Sequence, residues 1–146
     1  MSIHLDLIAA AIVIVILVVV SVLKLRKKTL NKAYFQKRWL TLQKLCSDKK
    51  LWYKAVIDAD ELLDEALKQR HFHGKTTGER LVSAQRTLSS NDSVWFGHKL
   101  KNRITDDGYK RLGKRDTLEA LAGFRQALKD VGALSSTGTQ EEPKDE

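Results

Sequence analysis

LIAAAIVIVILVVVSVL, residues 7–23, carries no charge and a single hydroxyl, Ser21. At about 1.5 Å per residue a helix of this stretch covers roughly 26 Å, and taking in Ile3, Leu5 and Leu25 brings it to the ~30 Å of a bilayer's hydrocarbon core. A cleavable leader wants basic residues ahead of the apolar run and small residues at its end. Here Met1 to Asp6 contains no Lys or Arg, and Leu23 leads straight into KLRKK. A core helix of a soluble protein carries a polar stripe, and a strand is far shorter. The reading is a single transmembrane helix over residues 7–25, with residues 1–6 outside the lipid.

Charge sets the expected orientation. Lys24, Arg26, Lys27 and Lys28 flank the span on its C-terminal side, followed by Lys32, Lys37 and Arg38, whereas only His4 and Asp6 lie ahead of it. Positive residues stay with the cytoplasm, so the short N-terminus is expected outside a cell membrane and the remainder inside, with the bilayer as the first partner. The lone Cys46 has no intramolecular disulfide partner, which fits a reducing compartment, and it reads as a small residue on a packed helix face. The 121 residues after the span are enough for one small domain.

The net charge of +8 is unevenly spread. Between Lys24 and Lys54 cations recur throughout and Asp48 is the one acid. That excess suits an anionic leaflet as well as a nucleic acid, so basicity alone does not define an RNA site.

The remainder reads as helices at 3.6-residue period. A basic juxtamembrane helix, residues 29–47 within a segment 26–50, is expected to inherit its start from the membrane span, with Leu30, Ala33, Tyr34, Leu42, Leu45 and Cys46 on one face and Trp39 near it. A second helix, capped by Ser47 or Asp48, runs to Arg70 with Leu51, Trp52, Ala55, Val56, Ala59, Leu62, Leu63, Ala66 and Leu67 inward, and Gly74 ends it. A short helix to Leu88 follows a Thr76 or Thr77 cap and buries Leu81, Ala84 and Leu88. A fourth, residues 94–104, turns Phe96, Leu100 and Ile104 inward with Trp95. A fifth opens at Asp116 or Thr117, buries Leu118, Leu121, Phe124, Leu128 and Val131, and stops at Gly132. The expected fold is all-α: an N-terminal single transmembrane helix, then an antiparallel bundle of four to five helices over residues 51–134 on its basic stalk, then a disordered acidic tail at 135–146.

Few residues invite chemistry. Asp58, Asp60, Glu61, Asp64 and Glu65 make an acidic face on the second helix, which reads as solvated because no second acidic helix or histidine pair accompanies it. His71 and His73 share a loop without a third ligand, so no metal site is expected. No strand-period segment, internal repeat, phosphate-cradling glycine loop or nucleophile elbow occurs, and no cofactor is implied.

The stretch WFGHKLKNRITDDGYKRL, residues 95–112, with the amphipathic helix after it, resembles the end of a HEPN-type helical domain, the higher eukaryote and prokaryote nucleotide-binding superfamily. The resemblance extends more loosely over AVIDADELLDEALKQRHFHGKTTGERL, residues 55–81. The chain is also similar to small membrane-anchored bacterial proteins that place such a domain after one N-terminal helix. The resemblance implies a helical domain that self-associates as a homodimer. In its active members it implies metal-independent RNA cleavage by an arginine, usually with a polar neighbour, and a histidine four to six residues later. This chain departs from that pattern: Lys101 and Asn102 stand at the arginine and polar positions, and Asp106 replaces the histidine. An aspartate does not exchange protons near neutrality as imidazole does, and lysine lacks the planar fork that grips phosphate.

The remaining catalytic candidates are His98 and Arg103, read as a displaced pair. Their structural alternative is His98 packed between helices and Asn102 holding the following loop. As a binding surface, Lys99, Lys101, Asn102, Arg103, Lys110, Arg111, Lys114 and Arg115 cluster around one loop with Trp95, Phe96 and Tyr109. Cations among aromatics suit single-stranded nucleic acid, and equally an anionic lipid surface. The expected function is a membrane-anchored, non-catalytic cytoplasmic interaction module that binds RNA or a protein partner. The alternatives are a divergent HEPN-type ribonuclease and a membrane-associated assembly factor whose basic helix follows the leaflet.

Overall fold

The structure, a computed structural model, describes residues 2–25 and 29–136. Within them the chain is helical throughout, in six helices: α1 (Ser2–Leu25), α2 (Lys32–Leu45), α3 (Trp52–Gln69), α4 (Thr77–Ala84), α5 (Asn91–Asp107) and α6 (Lys114–Asp130). The residues 137–146 of the expected tail lie outside this description, as do Arg26, Lys27 and Lys28.

In α1 the 21 residues Ile3–Leu23 are long and apolar enough to cross a membrane, and none of that span is buried within the chain. Ser21, its one hydroxyl, donates back to the Leu17 carbonyl at 2.7 Å, which satisfies it without solvent.

The basic segment does not continue α1. Thr29 to Asn31 is not helical, and the Asn31 side chain accepts from the Tyr34 N–H at 3.1 Å, so α2 has its own N-cap. It belongs to the bundle: Phe35, Trp39 and Leu42 are buried in the common core, while Ala33 points outward. Asp48 then caps one 3₁₀ turn, Lys49–Leu51, which feeds α3.

Packed against α2, α4, α5 and α6, α3 is the central helix. Its buried set, Ala55, Val56, Ala59, Asp60, Leu62, Leu63, Asp64, Ala66 and Leu67, covers an arc of about 200° at 100° per residue, twice an ordinary amphipathic stripe. The expected solvated acidic face is corrected here. Asp60 (1% exposed) and Asp64 (8%) lie at the edge of that arc, where α4 and α5 cover them, and only Glu61 is fully exposed.

Nor does Gly74 end α3. His71 takes the left-handed conformation (φ 61°), the Phe72 N–H reaches the Leu67 carbonyl at 3.1 Å, and the His71 N–H reaches Lys68 at 2.9 Å. This is the Schellman closure with histidine where glycine is usual. A close relative of the capping box starts α4, the Thr76 hydroxyl accepting from Glu79 N–H and the Glu79 carboxylate accepting from the N–H of Lys75, one residue before the cap.

A short connection at residues 108–113 turns α5 back antiparallel against α6, and at the far end the Ser89 N–H and hydroxyl both donate to Asp130 at 2.8 Å. Two glycines let the helices close. A β-carbon at Gly123 would meet the Ser93 backbone at 2.6 Å, and one at Gly97 the Phe124 ring at 2.7 Å. The core face of α6 is rotated from expectation: Leu118 is 57% exposed and Thr117 is buried, its hydroxyl donating to the Gly113 carbonyl at 2.9 Å. In α5, Val94, Gly97 and His98 join Leu100 and Ile104 inside, and Phe96 is half-buried.

Gly123→Ala gains about 1 kcal/mol of helix propensity, yet forces α5 and α6 apart at a backbone contact, an overpacking cost of about 1–3 kcal/mol. The detergent-solubilised variant is expected to melt below the parent; an equal or higher midpoint would contradict the close approach.

Candidate functional site

The chemistry-bearing side chains fall into two groups. The first is buried and joins α3 to α4 and α5. His98 Nδ1 lies 2.8 Å from Asp60 Oδ1, Asn102 Nδ2 lies 3.4 Å from His98 Nε2, and Lys101 Nζ approaches Asp60 Oδ2 at 3.8 Å. With Asp60 accepting from Nδ1–H, Nε2 is left to accept from the Asn102 amide. The ring also meets the edge of Trp95, centroids 5.9 Å apart, and sits against Gly78. His98 is thus engaged on both nitrogens and 8% exposed.

One turn along α3, Asp64 accepts from Arg80 Nε at 2.6 Å and pairs with Lys68 at 2.7 Å, and Arg80 spends a second donor on the Gly74 carbonyl at 2.7 Å. Burial alone raises the Asp64 carboxyl's pKa, but the hydrogen bonds and charges of Arg80 and Lys68 outweigh it and hold the group below the ordinary carboxylate value.

The second group is exposed and lies at one end of the bundle. Lys110 sits over the Tyr53 ring at 5.2 Å, which brings the α5–α6 connection to the start of α3. Arg103 covers Tyr109 at 4.5 Å, and Lys49 covers Trp52 at 5.9 Å. An open cleft there is lined by Arg103, Asp107, Gly108, Tyr109, Lys110 and Arg111. Arg111, Lys114 and Arg115 are exposed alongside, and Lys99 is exposed further up α5. The sequence KKLWYK, residues 49–54, therefore joins the loop cluster although it lies far from it in the chain. Its mixture of lysines and aromatics is the same signal as in the loop's GYKR, and nothing in the sequence links the two segments.

His98 and Arg103 are not brought together. Five residues apart on one helix, they point about 140° away from each other, one into the core and one onto Tyr109. Lys101 and Asn102 turn inward to Asp60 and His98, leaving the surface cluster without them. Asp106 is exposed and accepts from Thr105 at 3.3 Å. His71 and His73 are both exposed, and among the described residues no three His, Cys, Asp or Glu side chains gather to hold a metal. Burial pushes the Cys46 thiol up, away from reactive thiolate. Lys24 is in the last turn of α1. No protein-family model matches the chain, and no curated protein or solved structure matches it.

Because Asp64 titrates lower in the folded chain than in the unfolded one (about 3.9), its contribution is complete above that value and is lost as pH falls through the folded one. Thermal stability is expected to drop below about pH 4 on this account. Asp64→Asn, which leaves the buried Arg80 without its counter-charge, is expected to cost about 3–5 kcal/mol at neutral pH and to flatten the acid limb. An unchanged melting profile against pH would contradict the pairing.

Proposed function

We propose that the chain is a membrane-anchored, non-catalytic helical module that binds a polyanion, single-stranded RNA in the first instance, at the cationic end of its bundle. The observation that carries this reading is the packing of Lys110 over Tyr53 of α3, far away in sequence, beside an open cleft that Arg103, Tyr109, Lys110 and Arg111 line. Phosphates suit the exposed lysines and arginines, and a base can stack on the Arg103 guanidinium plane or replace it on Tyr109. The anchoring reading rests on α1, which is long and apolar enough to span a membrane, and the cations that follow it in sequence favour a bundle on the cytoplasmic side of a cell membrane with the N-terminus outside.

The degenerate HEPN-like motif fits a binding role, since the residues at its positions, Lys101 and Asn102, serve the buried network. A ribonuclease using His98 with Arg103 is disfavoured by their divergence on α5 and by the engagement of both imidazole nitrogens.

The test is the full chain in nanodiscs with labelled single-stranded RNA. Binding without cleavage is expected, and replacing Lys110 and Arg111 together by Gln should weaken it at least about tenfold and reduce the log–log salt slope by about 1–1.5. Absence of binding, or binding indifferent to both residues, would refute the site. Cleavage abolished by His98→Ala would favour the ribonuclease instead.

A further inference from the structure

We propose that the outward face of α2 rests on the anionic headgroups of the membrane that α1 crosses. The inference depends on the membrane-spanning reading of α1 and is independent of RNA binding. Opposite the buried Phe35, Trp39 and Leu42, the residues Ala33, Lys37, Leu40 and Lys44 follow one another at spacings of four, three and four, and all are exposed. Leu40, 46% exposed, sits between the two lysines. Such a stripe suits a headgroup layer, with two cations for phosphate and one apolar side chain between them.

Its charge is uncompensated. The helix KAYFQKRWLTLQKL contains no acid, and among the described residues neither Lys37 nor Lys44 is in a salt bridge, whereas Lys54 and Lys68 each pair with an aspartate one turn away. One exposed leucine and one alanine offer too little apolar surface for a stable protein interface of about 1,000 Å². A tethered lipid contact needs less. Residues 26–31 separate the two helices, so α2 begins at most about 25 Å from the end of α1, and the helix itself is about 21 Å long. The leaflet is thereby presented to the face at high effective concentration, and anionic lipid supplies the missing charge.

The full chain is reconstituted into vesicles of phosphatidylcholine alone or with about one third phosphatidylglycerol, and lysines are acylated with a membrane-impermeant reagent and read by mass spectrometry. Labelling of Lys37 and Lys44, relative to Lys99 on α5, is expected to fall at least about threefold in the anionic vesicles and to recover in about 0.5 M salt. In Leu40→Glu, whose exposed position leaves the core untouched, the protection should disappear. Equal labelling in both vesicles overturns the proposal, as does protection of Lys99 in their place. Protection that ignores lipid charge assigns the face to a protein or a second copy and equally overturns it. Release of the chain from vesicles by an alkaline wash would overturn the anchoring itself, and this inference with it.

Discussion

Two carboxyl groups on the inner side of α3 have to find hydrogen-bond partners inside the bundle, and the arrangement of its neighbours follows from that. Asp60 draws His98 and Lys101 from α5, and Asp64 draws Arg80 from α4. Apolar contacts supply the driving force but tolerate sliding and rotation, whereas a buried charge left without its partner costs several kcal/mol. The two pairs, one turn apart, therefore fix which faces of α4 and α5 meet α3. Arg80 also reaches the Gly74 carbonyl and so holds the loop that begins with the strained His71 turn.

That internal use of charge explains what remains for the surface. His98, Lys101 and Asn102, the most chemically suggestive residues of α5, are consumed by the network, and Arg103, one position on, is turned out to Tyr109. One helix thus carries a structural polar face and a cationic outer face. The connections at one end of the bundle collect the outer cations beside Tyr53, Trp52 and Tyr109. On α2, where no acid is present, Lys37 and Lys44 are in no salt bridge among the described residues and face outward, while Arg38 lies over Tyr34.

Much of the fold was legible because its signals are local. The uncharged run of α1, the apolar period of α3 and the Thr76 cap are each read from adjacent residues. The misreadings came where a neighbour decides the outcome. A helix touched on several sides buries more than one stripe, so Asp60 and Asp64 looked solvated when only their partners on other helices make them affordable inside. Thr117 displaced Leu118 from the core because its hydroxyl is satisfied within its own helix, which hydrophobicity does not register. The apparent period of α2 selects the exposed Ala33, while Phe35, wholly buried, lies off it. In the candidate site, the loop cations were visible in sequence, but the partnership with Tyr53 depends on how α3 meets the α5–α6 connection.

The most direct measurement is a double-substitution cycle between Asp60 and His98, by thermal unfolding of the detergent-solubilised chain with Asp60→Asn, His98→Gln and both together. If the pair anchors α5 on α3, each single change is destabilising and the two are coupled by at least about 1 kcal/mol. Effects that add to within about 0.3–0.5 kcal/mol would contradict the account.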